Sequence, residues 1–233
     1  MTLPTLRRIF RRAKSILKKK PDGFLRDDFL LDVSGVIHVG ANTGQERKLY
    51  EMLGLRVIWI EPIPEVYEIL KANLEREGFL NQRTFQCLIT DCDDAEYRFH
   101  ISNNEGASSS ILELKMHKDI WPEVNYTTTI SLRSSTLASL LRREHIDLSE
   151  YQALIIDTQG SELLVLKGVI PLLHNFKYVQ IEVADFESYA GCCQLDELSS
   201  FMAEHGYSEY SCHKLVQQPK VGSYYDIIYK RKV

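Results

Sequence analysis

Short apolar runs alternate with longer amphipathic stretches along most of the chain. A run of four to six apolar residues predicts a buried strand, and apolar positions three or four apart predict a helix. Glycines follow several of the amphipathic stretches, as at Gly54, Gly78 and Gly206, and glycine is common just beyond a helix end. The predicted strands are 36–39, 56–60, 84–89, 97–101, 127–132, 153–156, 178–183, 207–211 and 224–229, and the predicted helices are 45–53, 66–76, 137–143, 162–167 and 195–204.

The order of these elements predicts the fold class. Strands that alternate with helices form βαβ units, and these build a mostly parallel sheet with helices on both faces. The last two strands have no helix between them, only a turn with Pro219 and Gly222, so they predict an antiparallel hairpin at one edge. We therefore expect a doubly wound, mostly parallel seven-stranded α/β sheet, Rossmann-like, with an antiparallel C-terminal hairpin.

Charge is distributed unevenly along the chain. The 233 residues carry a net charge of −4, which gives no general indication of nucleic-acid binding, yet eight Lys and Arg residues and no acid precede Pro21. Residues 4–20 have an apolar stripe at helical spacing. We predict a basic amphipathic helix over 1–22 and one domain over 23–233. Residues 1–20 either bind an anionic membrane surface or form a solvated leader helix, and RNA binding is the weaker third alternative.

The cysteines and histidines indicate neither a disulfide framework nor a metal site. The cysteine count is five, and no CxxC or CxxH pattern occurs. No apolar segment follows the basic N-terminus as in a secretory signal, and no apolar run reaches the roughly 20 residues that span a bilayer. The sequence thus predicts a cytoplasmic protein, peripheral at the inner membrane surface if residues 1–20 bind lipid.

The sharpest local pattern is the segment VIHVGANTGQE at 36–46. A short strand, a glycine-containing turn and a helix start follow one another, which is the arrangement of a cofactor-binding turn. Gly40 and Gly44 are spaced GxxxG, and this differs from the GxGxxG fingerprint that holds a dinucleotide pyrophosphate. S-adenosylmethionine has no phosphate, so such a turn suits it, with Gly40, Asn42 and Gly44 at its methionyl end. The alternative is an ordinary tight turn between strand and helix.

Two further acids follow strands in the same half of the chain. Glu61 ends the second strand and would accept hydrogen bonds from both ribose hydroxyls. Asp91 follows the third strand, where it would lie at the adenine. For both residues the alternative is a solvated acid at a strand end or in a turn.

The second half of the chain supplies candidates for the reaction itself. Asp157 ends a strongly apolar strand in LIIDTQGSE, with Gly160 in the following turn, and Glu182 lies near the end of the next strand. If the strand order reverses between the first and fourth core strands, Asp157 lies at the crevice where ligands bind in such sheets, and it is a candidate for cofactor binding as well as for catalysis. A carboxylate there can orient or deprotonate an acceptor. The alternative role of Asp157 is to cap the following helix.

Residues 36–211 resemble the FkbM family of class I methyltransferases. The matching stretches are VIHVGANTGQE, IWIEPIPEVYEILKANL, SSSILEL, STLASLL and LIIDTQGSELLVLKGV. The resemblance implies methyl transfer from S-adenosylmethionine to a hydroxyl, commonly of a sugar, glycan or natural product. The sequence departs from the family pattern at three positions: His38 replaces an acid, Ile155 a lysine and Gln159 a glutamate. His38 is included among the cofactor-binding candidates, although a packed core histidine is the more common case.

These observations together predict an S-adenosylmethionine-dependent O-methyltransferase that acts on a small molecule or glycan. A nicotinamide-dependent oxidoreductase fits the sequence less well for two reasons. The GxGxxG fingerprint is missing, and an all-parallel dinucleotide-binding sheet has no need of a C-terminal antiparallel hairpin. The departures at Ile155 and Gln159 motivate a third hypothesis. In it, the protein binds the cofactor but is catalytically silent, and it acts at a membrane or in a biosynthetic complex.

Overall fold

The computed structural model describes residues 27–232. The predicted helix over 1–22 lies outside this range. Within the described range two short 3-10 helices, Asp28–Asp32 and Leu148–Glu150, accompany the longer elements. The strands are β1 Gly35–Val39, β2 Arg56–Glu61, β3 Gln82–Gln86, β4 Leu88–Ile89, β5 Glu96–Ser102, β6 Tyr126–Ser135, β7 Ala153–Ile156, β8 Tyr178–Ala184, β9 Tyr207–Gln218 and β10 Gly222–Arg231. The helices are α1 Arg47–Leu53, α2 Pro64–Glu77, α3 His117–Ile120, α4 Leu137–Arg143, α5 Glu162–Leu173 and α6 Leu195–Glu204.

Seven of the strands form one sheet in the order β3-β2-β1-β7-β8-β10-β9. The first five strands in this order are parallel, and β10 runs antiparallel to both β8 and β9. This confirms the predicted mostly parallel seven-stranded sheet and its C-terminal hairpin. The chain builds outward from β1 in one direction and from β7 in the other, so a crevice for ligands is expected between their carboxyl ends.

Helices cover both faces of this sheet. Alternate residues of β1 belong to different cores: Val36 packs with α1 and α2, whereas Ile37 packs with α4, α5 and α6. All five residues of β1 and all four of β7 are buried. A strand that is covered on both faces has no polar side for solvent, which explains why β1 and β7 are almost entirely apolar.

The predicted third strand, 84–89, is wrong as a single element. The structure divides it into β3, which pairs with β2, and β4, which pairs with β6 in a separate three-stranded sheet of order β4-β6-β5. The amide of Cys87 donates to the carbonyl of Glu61 at 3.3 Å, and there the chain leaves the main sheet. Every residue of 84–89 suits a strand, so the sequence carries no sign of the exchange of partners.

Helix α5 is longer than the sequence predicts. The predicted segment 162–167 continues to Leu173 and includes Pro171. Proline usually interrupts a helix because it lacks an N–H and crowds the preceding turn. Here Pro171 lies in the last turn of α5, close to the point where the helix ends anyway. The predicted bounds of α4, α6 and β7 are confirmed residue for residue.

Candidate active site

The glycine turn after β1 lies directly against the end of β7. The amide of Asp157 donates to the carbonyl of Val39 at 3.0 Å, so the two strand ends are joined at the crevice. Gly40 has a φ of +82°, and a Cβ added there would lie 1.7 Å from the carbonyl oxygen of Asp157. No side chain fits in this space. Gly40 is therefore required by the close approach of two backbones as well as by its left-handed conformation.

Asn42 and Glu61 hold the rest of the turn in place. The amide of Asn42 donates to Oε2 of Glu61 at 2.8 Å, and the amide of Ile63 donates to Oε1 at 2.9 Å. Asn42 itself has a φ of +45°, a conformation that asparagine tolerates better than most residues. The carboxylate of Glu61 thus links the turn after β1 to the end of β2, and both of its oxygens face backbone N–H groups.

Glu61 is 4% exposed, so it is not a solvated acid at a strand end. Burial raises the pKa of its carboxyl to about 7, although the amides of Ile63 and Asn42 act in the opposite direction; the nearby charge of Asp157 raises it further. Burial of this carboxyl group costs free energy, because a buried position disfavours its charged form. Strongly shifted acids in clefts are frequent at functional sites.

A cleft of about 200 Å³ opens above these residues. It brings together the candidates from both halves of the chain, because His38, Gly40, Asn42, Glu61 and Asp157 all line it. Gly44 lies at the end of the turn, where a Cβ would approach Leu70 to 2.6 Å. The remaining wall is mixed. It includes the apolar residues Ile63, Cys87, Leu88, Ile89, Phe99 and Ala107 and polar residues such as Gln45, Glu46, Ser109 and Thr158.

The structure does not bring Asp91 to this cleft. Asp91 is exposed in the turn after β4, and the cleft is lined instead by Cys87, Leu88 and Ile89, which precede it. The exchange between sheets explains the difference: β4 passes the cleft, and the acidic turn comes only after β4 has ended. The position of Asp91 therefore does not support the prediction that this residue lies at the adenine.

His38 has an aromatic environment at the base of the cleft. Its ring stacks on Trp59 with the centroids 5.1 Å apart, and its Nδ1 lies 3.4 Å from the hydroxyl of Tyr50. His38 is 6% exposed, and burial lowers the pKa of its imidazole, which favours the neutral form. These contacts are those of a packed core histidine that also forms part of the cleft wall.

Asp157, Gln159 and Glu182 form one hydrogen-bonded group. The side-chain amide nitrogen of Gln159 donates to Oδ1 of Asp157 at 2.7 Å and approaches Oε1 of Glu182 at 3.3 Å. The hydroxyl of Tyr189 donates to the amide oxygen of Gln159 at 2.7 Å. A glutamate at position 159, as in the family pattern, would place a third carboxylate here. Gln159 instead donates to two carboxylates, so this departure preserves an ordered site.

The N-terminal end of helix α5 involves Ser161 and Glu162. The helix begins at Glu162, and its N-cap is Ser161. The buried carboxylate of Glu162 accepts hydrogen bonds from the amides of Thr158 and Gly160 at 3.0 and 2.9 Å. Asp157 is therefore not the N-cap residue of this helix, and it lines the cavities at the end of the sheet.

A second cavity, of about 360 Å³, adjoins the first at Asp157, Gln159 and Ala107. This volume lies in the range of small-molecule pockets, about 300–1,000 Å³. Sequence reasoning missed most of its wall, since its residues come from loops and from the hairpin and form no local motif. The lining residues besides the three shared ones are Asn104, Ser108, His117, Trp121, Glu182, Leu215, Val216 and Tyr224.

Two buried carboxyl groups make the stability of the protein depend on pH. Burial raises the pKa of Glu61 and of Glu162 from 4.5 to about 7. Between these values the folded protein binds more protons than the unfolded chain, so the free energy of unfolding falls as the pH rises through this window. We expect a smaller loss between pH 5 and pH 8 in Glu162→Gln than in the exposed control Glu75→Gln. Urea unfolding checks this, and equal losses would contradict it.

Comparison with known proteins identifies the class. The chain resembles M. capricolum TrmK in complex with S-adenosyl-homocysteine, with 10% identity and a TM-score of 0.52 over 95% of this chain and 68% of that one. It also resembles magnesium protoporphyrin IX methyltransferase from Synechocystis PCC 6803 with bound SAM, with 10% identity and a TM-score of 0.50 over 98% and 80%. At this identity the likeness shows the fold, which is that of class I methyltransferases.

The family follows from a direct match. Residues 38–209 match the methyltransferase FkbM domain, and the chain belongs to that family. It is an S-adenosylmethionine-dependent methyltransferase. A search of curated proteins finds no significant match. Within residues 27–232, no helix is long and apolar enough to cross a bilayer, and no group of three or more His, Cys, Asp or Glu side chains could hold a metal ion.

Proposed function

We propose that this protein transfers the methyl group of S-adenosylmethionine to a hydroxyl of a sugar, glycan or natural product. The observation that carries the proposal is the junction of two cavities at Asp157. One cavity has the glycine turn and a buried acid, as a cofactor site requires. The other has aromatic, apolar and hydrogen-bonding walls, as a site for a small polar acceptor requires.

The first cavity fits the cofactor in its chemistry. Gly40 leaves the backbone open where any side chain would collide with Asp157, and Asn42 and Gly44 complete the turn for the methionyl end. The carboxylate oxygens of Glu61 retain lone pairs for the ribose hydroxyls beside their two backbone donors. The apolar wall at Leu88, Ile89 and Phe99 suits the adenine ring, in place of the Asp91 side chain.

Asp157 and Glu182 are the candidates on the acceptor side. The bound cofactor supplies an electrophilic methyl group on a sulfonium, so the protein has to align the acceptor oxygen and accept its proton. Asp157 lines both cavities and is the first candidate for that task. Glu182 lines the acceptor cavity, and Gln159 links it to Asp157.

Replacement of Glu61 by glutamine tests the cofactor site. We expect Glu61→Gln to weaken S-adenosylhomocysteine binding by about 1.5–3 kcal/mol, the range for hydrogen bonds to a charged group. Glutamine keeps the size of the side chain and one acceptor oxygen for the buried amides, whereas alanine would leave both amides unpaired. Isothermal titration measures the affinity. An unchanged dissociation constant would show that Glu61 only supports the turn.

The acceptor class is tested by transfer from labelled S-adenosylmethionine. The full-length protein is incubated with a panel of methyl glycosides of neutral sugars, amino sugars and uronic acids, and with transfer RNA. We expect label on a hydroxyl of a neutral glycoside, located by mass spectrometry. Label on RNA or on an amino nitrogen alone would contradict the proposed acceptor class.

We further propose that residues 1–20 bring the protein to an anionic membrane surface, on the cytoplasmic side. The support is the sequence itself, since eight basic residues and no acid occur there along an apolar stripe. Each Lys or Arg near an anionic surface contributes about 1 kcal/mol of attraction. All acidic residues of the chain follow this segment. The negative charges that an anionic surface would repel therefore lie outside residues 1–20.

Liposome sedimentation tests the membrane proposal. We expect the full-length protein to sediment with vesicles that contain anionic lipid, and this binding should decrease as salt rises. Removal of residues 1–20 should abolish sedimentation but leave S-adenosylhomocysteine affinity unchanged. If the full-length protein does not sediment with anionic vesicles at low salt, the membrane proposal is wrong.

A further inference from the structure

His117 occupies an unusual place in the wall of the acceptor cavity. It begins the short helix α3, and it is 2% exposed. Its ring lies between Trp121 and Tyr189, with centroid distances of 4.7 and 5.1 Å. His117 is also one of the residues that line the cavity with Asp157 and Glu182.

The two nitrogens of His117 differ in their partners. Nδ1 lies 2.8 Å from the hydroxyl of Tyr224, which fixes the orientation of the ring. Nε2 is buried and has no hydrogen-bond partner in the described structure. An unpaired buried polar atom costs about 1–3 kcal/mol, so a native protein rarely keeps one without a reason. A ligand group in the adjoining cavity would supply the missing hydrogen bond.

We propose that His117 is a binding residue for the methyl acceptor, and that its Nε2 makes a hydrogen bond with a hydroxyl of that acceptor. The inference rests on the proposed function, because it takes the second cavity as the acceptor site. Tyr224 is a positioning residue that holds the ring through Nδ1. Trp121, Leu215 and Val216 provide an apolar wall for the carbon skeleton of the same molecule.

The chemistry of the imidazole favours a hydroxyl over charged groups. Burial lowers the pKa of His117 to about 4, so the ring is neutral at physiological pH. In one tautomer Nε2 donates a hydrogen bond, and in the other it accepts one; a hydroxyl can pair with either. A phosphate or carboxylate would require the donor form, and it would also lie beside the carboxyl groups of Asp157 and Glu182, where like charges repel.

Two variants separate binding from support of the fold. His117→Asn places a polar group where Nδ1 meets Tyr224 but removes the position of Nε2, whereas His117→Gln reaches toward Nε2. With a neutral methyl glycoside as acceptor, we expect His117→Asn to lower kcat/KM by about 10- to 100-fold, mainly through KM, and His117→Gln to lose less. Affinity for S-adenosylhomocysteine should stay unchanged in both. Wild-type kinetics in His117→Asn would overturn the proposal.

The outcomes also separate this inference from the proposed function. If the wild-type protein methylates no neutral glycoside, the proposed acceptor class is wrong, and the role of His117 that rests on it is wrong as well. If the wild type and His117→Asn methylate glycosides equally well, the proposed function is supported, and the proposed role of His117 is wrong.

Discussion

Asp157→Asn is expected to lower the methyl-transfer rate by about 10²–10⁴-fold, the usual contribution of a general base. The substitution keeps the shape of the side chain and removes its charge. Affinity for S-adenosylhomocysteine should change much less, because Glu61 and the glycine turn bind the cofactor in this account. The measurement pairs the transfer rate with isothermal titration on the same preparation.

The exposed residue Asp196, in the first turn of α6, provides the matched control. Asp196→Asn should leave both rate and affinity unchanged. A near wild-type rate in Asp157→Asn would remove Asp157 from the reaction and leave Glu182 and His38 as the acids or bases to test. Equal losses of rate and affinity would make Asp157 a cofactor ligand. A wild-type protein that binds the cofactor and transfers no methyl group to any acceptor would support the silent alternative.

Gly40→Ala is expected to destabilise the protein by about 2–5 kcal/mol and to abolish cofactor binding. About 1–2 kcal/mol of this comes from a left-handed backbone at a residue with a Cβ. The remainder, about 1–3 kcal/mol, comes from overpacking, because the new methyl group would lie 1.7 Å from the carbonyl oxygen of Asp157. Relief of that contact requires the ends of β1 and β7 to separate. Urea unfolding gives the stability change.

Gly54→Ala separates the two contributions. Gly54 has a φ of +71°, close to that of Gly40, but a Cβ there would have no atom within 4 Å. We expect Gly54→Ala to cost only the backbone part, about 1–2 kcal/mol, and to bind S-adenosylhomocysteine normally. If both variants lose the same stability, the close approach of β1 and β7 is less tight than the structure indicates.

The sequence predicts the main sheet well because its signals are local. Strands such as 153–156 are continuous apolar runs, and glycines at 54 and 78 mark helix ends, where both adopt the left-handed conformation. The glycine turn, Glu61 and Asp157 could also be found, since each comes at the end of a buried strand and such ends meet at one edge of a parallel sheet.

The acceptor cavity could not be predicted, for a physical reason. His117 and Trp121 come from the short helix α3 and its C-terminal end, in the connection between β5 and β6, and Tyr224 comes from the hairpin more than a hundred residues later. Their association depends on tertiary packing, and a lone histidine in a sequence gives no sign of it. The misplacement of Asp91 has a similar origin, since the strand before it changes sheets through pairing that no local pattern records.

A crystal structure of the full-length protein with S-adenosylhomocysteine would show which cavity holds the cofactor. We expect the ribose hydroxyls at the carboxylate of Glu61, the methionyl end at the turn of Gly40 and Asn42, and the sulfur facing the cavity that His117 and Asp157 line. A ligand bound elsewhere, or one whose sulfur faces away from Asp157, would contradict the assignment of the two cavities.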